Sequence, residues 1–239
     1  MEAEAVTISI LGAQPISGLW RSPAKASACL VLAHGAGVGM RHTSMAQVAD
    51  GLFERGVATL RYQFPYMERG SKRVDPPPVA RAAVRAAVAQ AARLARGVPL
   101  FAGGRSFGGR MTSQAQAAAP MEGVRGLIFF AFPLHLAGKP SVERAAHLAK
   151  VDVPMLFLQG TNDALASLPL LKETVAGLGG RATLELVEGA DHSFHVPARS
   201  GRTDAEAMSQ ILDRARVWIA AGGSPSSRRG SASSSPDPA

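Results

Sequence analysis

The sequence predicts a three-layer α/β fold, with a mostly parallel central sheet and helices on both faces. Three observations lead there. Short β-rich runs alternate with segments of helical period along the chain, the pattern of a sheet built through helical crossovers. Several runs, Leu127 to Phe132 among them, are almost wholly apolar, as suits strands covered on both sides. The length of 239 residues is enough for one domain with a substantial core.

The elements follow in order. Val6 to Leu11 and Ile16 to Trp20 form an expected antiparallel pair at the start. Further strands are expected at Ala28 to Ala33, Ala58 to Tyr62, Pro99 to Gly103, Gly126 to Phe132, Pro154 to Gly160 and Ala182 to Val187. Helical patterns fall between most of them: Ser44 to Arg55, Pro78 to Arg96, Gly109 to Ala119, a short one near Ser141 to Ala149, and Leu168 to Gly177. A last helix is expected over Asp204 to Ala221. Thr203 and Glu206 make its capping box, and Met208, Ile211, Ala215, Trp218 and Ile219 its apolar stripe. Residues 1–221 are therefore read as one domain. From Gly222 the composition turns to Gly, Ser, Pro and Arg, too poor in apolar surface to order itself, and a disordered tail is expected over 222–239.

Composition excludes several functions. No run of 18 apolar residues exists, so no membrane span is expected, and the acidic start lacks the basic region and apolar core of a signal peptide. Cys29 is the single cysteine, in an apolar run, and reads as a buried inert thiol in a reducing, cytoplasmic setting. The net charge of +8 raises the question of nucleic acid. On the Pro78 to Gly97 helix, however, Arg81, Arg85, Arg93 and Arg96 gather opposite Val84, Val88, Leu94, Ala91 and Ala95. That is a solvated arginine face, and no zinc-finger, RNP-like or zipper pattern accompanies it. Nucleic acid is not an expected partner.

The chemistry centres on Gly104-Arg105-Ser106-Phe107-Gly108, a G-x-S-x-G sequence between an apolar run and a helical segment. In that context the motif forms a nucleophile elbow, which holds the central serine in a strained turn at the start of a helix. The expected acid and base follow in chain order. The strand Met155 to Gln159 runs into Gly160-Thr161-Asn162-Asp163, and the strand Thr183 to Val187 is followed by Ala190-Asp191-His192. Ser106 needs His192 to take its proton, and His192 needs Asp163 to fix its tautomer. The loop His34-Gly35-Ala36-Gly37, after the Cys29 to Ala33 strand, supplies an oxyanion hole from the N–H groups of Ala36 and Phe107. His34 is expected to be structural. His195 and Asp191 are the nearest rivals for base and acid; Asp191 ranks lower because side chains of sequence neighbours, here Asp191 and His192, tend to point apart. His42, His135 and His147 lack metal-ligand spacing, so no metal and no cofactor are expected. Neither glycine-rich loop meets the dinucleotide or P-loop pattern.

On these residues the chain resembles the α/β-hydrolase superfamily, specifically its dienelactone-hydrolase-like members. It is most similar to the hydrolase-like domain family of testis-expressed protein 30 and NSL complex subunit 3. The segments that carry the likeness are Leu32 to Gly37, Phe64 to Glu68, Gly104 to Gly109, Gly160 to Asp163 and Gly189 to Phe194, within about residues 28–220. The resemblance implies the α/β-hydrolase fold and Ser106, Asp163 and His192 as the triad. Dienelactone hydrolases usually carry cysteine as nucleophile, where this chain has serine.

About twenty residues lie between Phe132 and Val153, room for one short helix and no sizeable cap domain. An open site suits small or polar esters, and a small-molecule ester is the expected substrate. Gly35, Arg41, Tyr66 and Arg105 are candidates for its pocket. Arg69, Lys72 and Arg73, like Arg41 and Arg105, read first as solvated loop charges. A second function class is a hydrolase-fold interaction protein with a vestigial site; the complete set of three residues argues against it. Monomer and homodimer are equally compatible with the sequence.

Overall fold

In the computed structural model, which describes residues 2–223, eight strands form one sheet in the order β1-β2-β4-β3-β5-β6-β7-β8. The strands are β1 Glu4–Ile8, β2 Ile16–Arg21, β3 Ala28–Ala33, β4 Val57–Tyr62, β5 Leu100–Arg105, β6 Val124–Phe130, β7 Met155–Gly160 and β8 Ala182–Val187. β1 pairs β2 and β2 pairs β4 antiparallel; every later pairing is parallel. The helices are α1 Thr43–Glu54, α2 Pro65–Glu68, α3 Pro77–Leu94, α4 Phe107–Ala118, α5 Leu168–Gly177 and α6 Asp204–Ala220.

Burial divides these helices between the two faces. Ala80, Val84 and Val88 of α3, Met111 and Ala115 of α4, and Leu171 of α5 join one apolar cluster. Met45, Val48 and Leu52 of α1 and Ile211, Leu212 and Trp218 of α6 join the other. β3, β6 and β7 are buried at nearly every position, which is why they read as unbroken apolar runs. Gly126 in β6 leaves the space that the Trp218 ring of α6 fills; a Cβ there would lie 2.6 Å from it. The capping box of α6 forms, with Thr203 Oγ1 accepting from Glu206 N–H and the Glu206 carboxylate accepting from Thr203 N–H. Cys29 is fully buried, and burial pushes its thiol up to about 12, so it stays a protonated small hydrophobe at neutral pH.

Four expectations need correction. The first strand is Glu4–Ile8 rather than Val6 to Leu11, because Ile10 and Leu11 belong to the connection to β2, where Leu11 is fully exposed. β6 stops at Phe130 because Ala131 turns to φ 58°. The segment near Ser141 to Ala149 is a 3₁₀ helix, Glu143–Lys150, and one-turn α2 has no counterpart in the expected elements. Arg85 does not simply face water: its guanidinium donates to Ala115 and Ala119 C=O and so caps the C-terminal end of α4. Of the tail expected over 222–239, residues 224–239 lie outside the described residues.

The sheet order places the site. The chain goes from β3 outward to β4, then returns across β3 to β5, so the crevice beyond the carboxyl ends of β3 and β5 is the topological switch point. Ser106 follows β5 there, and His34 to Gly37 follow β3.

Candidate active site

Ser106 sits between β5 and α4 at φ 51° and ψ −117°, a strained conformation for a residue with a side chain. The surrounding glycines make that turn fit. A Cβ on Gly104 would lie 2.5 Å from Ala33 O, and one on Gly108 would lie 2.5 Å from the same atom and 2.6 Å from His34 O. The elbow therefore packs backbone to backbone against the end of β3. Among the described residues two further ones with side chains have positive φ, Ala131 at 58° and Phe194 at 63°, and both lie in loops around this site.

Ser106 Oγ is 2.8 Å from His192 Nε2, and His192 Nδ1 is 2.7 Å from Asp163 Oδ2. An ionised carboxylate only accepts hydrogen bonds, so Nδ1 carries the proton and Nε2 presents its lone pair to the serine hydroxyl. The Asp163 carboxylate is fully buried; Oδ1 accepts Leu165 N–H at 2.8 Å, and Oδ2 also accepts from Gln159 Nε2. The His192 side chain remains about a quarter exposed, at 23 %. A tight turn aims it, with Phe194 N–H donating to Asp191 O at 3.0 Å.

The rivals have other work. Asp191 Oδ1 accepts the N–H groups of Ser193 and His195, which shapes the His192 loop. His195 pairs with Asp204 at 2.9 Å on the exposed side of that loop.

The loop expected to supply the oxyanion hole is set by a buried histidine. His34 Nε2 accepts Phe64 N–H at 3.0 Å, so Nδ1 holds the ring's proton and donates it to Gly35 O at 2.8 Å. A trans peptide points its N–H opposite to its C=O. Holding Gly35 O against His34 thus turns Ala36 N–H the other way, and that group has no hydrogen-bond partner among the described residues. Phe107 N–H, at the first position of α4, has no intrahelical acceptor. Gly35 lies against the elbow, since a Cβ on it would reach Ser106 Cβ at 3.7 Å.

Burial lowers the His34 pKa from 6.5 to about 4, partly offset by the Gly35 bond. The folded protein keeps this ring neutral while the unfolded chain protonates it below 6.5, so stability is full above that value and drains away as pH falls toward 4. The shift corresponds to about 3 kcal/mol, and the lowered pKa of half-buried His147 acts in the same direction. Thermal melts from pH 7 to pH 4.5 are expected to show a falling midpoint, less steep in His34→Asn; a midpoint flat across this range contradicts the assignment.

The expected pocket residues disperse. Gly35 is in the His34 to Gly37 loop, and Tyr66 is fully buried behind it, its hydroxyl 3.5 Å from Gly35 O and its ring edge-on to Phe107. Arg41 is exposed in the loop before α1. Arg105 is half-buried, and strand alternation puts it on the α1 and α6 face, where burial lowers its pKa against the opposing pull of Asp191 and Asp163. Arg69 is not a free loop charge, since it pairs with buried Asp75 at 2.7 Å, and Asp75 also accepts Tyr66 N–H.

Two site residues escaped the sequence reading. Gln159, fully buried at the end of β7, accepts Phe132 N–H at 2.8 Å and donates to Asp163. Its signal was a lone amide closing an apolar strand. His135 pins the loop that carries Asp163: its backbone N–H donates to Leu165 O, and its Nε2 accepts Ser167 N–H at 2.8 Å. Among the described residues no three His, Cys, Asp or Glu side chains converge as a metal site would need, and no helix is long and apolar enough to cross a membrane.

A family model described as "Alpha/beta hydrolase domain" matches residues 26–220. Among solved structures, the dienelactone hydrolase of Anabaena variabilis is 20% identical, with a TM-score of 0.72 over 92% of this chain and 97% of that one. An α/β serine hydrolase homologue from Coxiella burnetii is also 20% identical, with a TM-score of 0.72 over 90% and 98%. A Xanthomonas campestris protein described as an α/β serine hydrolase without lid is 21% identical, with a TM-score of 0.68 over 93% and 94%. These likenesses are of fold.

Proposed function

The chain belongs to the α/β hydrolase domain family, and from that premise we propose that it is a serine hydrolase cleaving a carboxylic ester, thioester or lactone through Ser106, His192 and Asp163. The observation that carries this reading is the unbroken hydrogen-bond chain Ser106–His192–Asp163, at 2.8 and 2.7 Å. Ser106 Oγ attacks the scissile carbonyl as His192 Nε2 removes its proton. Asp163 holds Nδ1–H and stabilises the imidazolium that forms. Phe107 and Ala36 N–H bind the developing oxyanion, a contribution of about 3 kcal/mol per donor where one has been removed in other hydrolases. His192 then protonates the departing alcohol, and water that it activates releases the acyl group.

Small or short-chain esters are the proposed substrates. Between β6 and β7 lie only the 3₁₀ segment Glu143–Lys150 and its flanking loops, so no cap domain is inserted there. The neighbours described as esterases, among them one from an Arctic intertidal metagenomic library, support ester chemistry by fold alone. The narrower likeness to the testis-expressed protein 30 and NSL subunit 3 family, one hydrolase unit over 1–221 and a cytoplasmic setting belong to the same proposal. A series of p-nitrophenyl esters from acetate to laurate tests it. The expected kcat/KM is highest for the shortest acyl chains and falls about tenfold or more, over 1.4 kcal/mol, by the longest. A preference for long chains contradicts the open cleft.

A further inference from the structure

Gln159 is the last residue but one of β7 and is fully buried, with its amide held between two groups of fixed polarity. Phe132 N–H can only donate and the Asp163 carboxylate can only accept. Oε1 therefore faces Phe132, at 2.8 Å, and Nε2 faces Asp163.

The need for that acceptor begins in the backbone. β6 ends as Ala131 turns to φ 58°, and Ala131 N–H makes the last backbone bond to β7, reaching Leu158 O at 2.9 Å. Phe132, the next residue, is fully buried, and its N–H takes the Gln159 side chain in place of a backbone carbonyl. On the other side of β6, Ser106 N–H donates to Phe130 O at 3.1 Å. The elbow is thereby tied to the end of β6, the end of β6 to Gln159, and Gln159 to Asp163. This path from Ser106 to Asp163 bypasses His192. The amide hydrogen lands on Oδ2, the oxygen that also faces His192 Nδ1, while Oδ1 accepts Leu165 N–H. The Cβ–Cγ torsion of an aspartate is soft, so a second fixed donor, on Oδ2, sets the plane of the carboxylate.

We propose that Gln159 is a positioning residue for the hydrolytic reaction: it fixes the plane of the Asp163 carboxylate and its place relative to Ser106, and so holds His192 with its proton on Nδ1. This rests on the hydrolase reading above and adds a residue to its machinery. A misplacement of about 1 Å at a reacting group can cost about 100-fold in rate, which bounds the expected effect.

The test has two arms, both on the full chain. Gln159→Met keeps the length of the side chain and removes donor and acceptor together. On p-nitrophenyl acetate its kcat is expected to fall about tenfold or more, with KM within about twofold of wild type. Acylation and deacylation both pass a proton through His192, so they slow together. The second arm uses NMR of isotope-labelled histidine, under mildly alkaline conditions, to read which ring nitrogen of His192 carries the proton; His192→Ala assigns the signal. Wild type is expected to show the Nδ1–H form alone, and Gln159→Met a mixture of the two tautomers. A mixture in Gln159→Met, when wild type turns over no ester, supports the hold of Gln159 on Asp163 and His192 and sinks the hydrolase reading alone. An unchanged tautomer overturns the proposal, and leaves the hydrolase reading intact if hydrolysis still requires Ser106. A kcat within about twofold of wild type, or a KM that rises alone, overturns it as well. If no ester is turned over and the tautomer is unchanged, both fall. Should Gln159→Met fail to fold, Gln159→Asn carries the same expectations, since it stays polar but is one methylene too short to span both partners.

Discussion

Ser106→Ala is expected to lower hydrolysis of a short-chain ester by at least about 10⁴-fold in kcat, with the melting temperature little changed. The magnitude follows from the proposal that the three residues work as a unit. Without Oγ, His192 has no proton to take at 2.8 Å and the oxyanion hole has no tetrahedral centre to hold. Ser113, on the same helix, cannot substitute: it is fully buried and bonded to Arg110 O and His147. The fold should survive because Ser106 Oγ makes its one side-chain hydrogen bond to His192, which is partly exposed. Steady-state rates on p-nitrophenyl acetate check this; a variant within tenfold of wild type would place the chemistry elsewhere.

The second large effect is on stability. Gly103 pairs with Ile128 across β5 and β6, and a Cβ at this position would stand 2.0 Å from Ile128 O and 2.9 Å from its carbonyl carbon. These are backbone atoms in the centre of the sheet, so neither can swing aside. Gly103→Val should cost more than about 3 kcal/mol, a fall of about 6–12 °C in melting temperature for a chain of this size. Gly177→Ala is the matched control. Gly177 lies in the last turn of α5, has open space around its would-be Cβ, and has an ordinary backbone. Alanine there should be neutral or stabilising by about 0.4–1 kcal/mol. Thermal unfolding followed by circular dichroism checks both; a Gly103→Val melt within two or three degrees of wild type, roughly 1 kcal/mol, would mean the sheet tolerates the intrusion.

What could be read from the sequence divides along physical lines. β3, α5 and β8 have the expected bounds because each is an apolar block or amphipathic stretch bounded by turn-formers. The order of Ser106, Asp163 and His192 was legible because each follows a strand directly, and a parallel sheet sends those strand ends to one edge. Ile10 and Leu11 misled because apolar residues in a connection look like strand until the register of β1 with β2 is known. His34, Gln159 and His135 bind backbone groups 27 to 32 residues away in sequence, and no local pattern announces such partners. Arg85 shares its helical face with Arg81 and Arg93, yet only the packing of α3 on α4 reveals what it caps.

Everything proposed for this site requires Ser106 to be a nucleophile activated by His192. Labelling with a neutral fluorophosphonate, followed by peptide mass spectrometry, measures that directly. The expected result is one adduct per chain, on Ser106, formed at neutral pH and lost in Ser106→Ala and His192→Ala. No adduct on the folded wild-type protein, or an adduct that persists in Ser106→Ala, would contradict it.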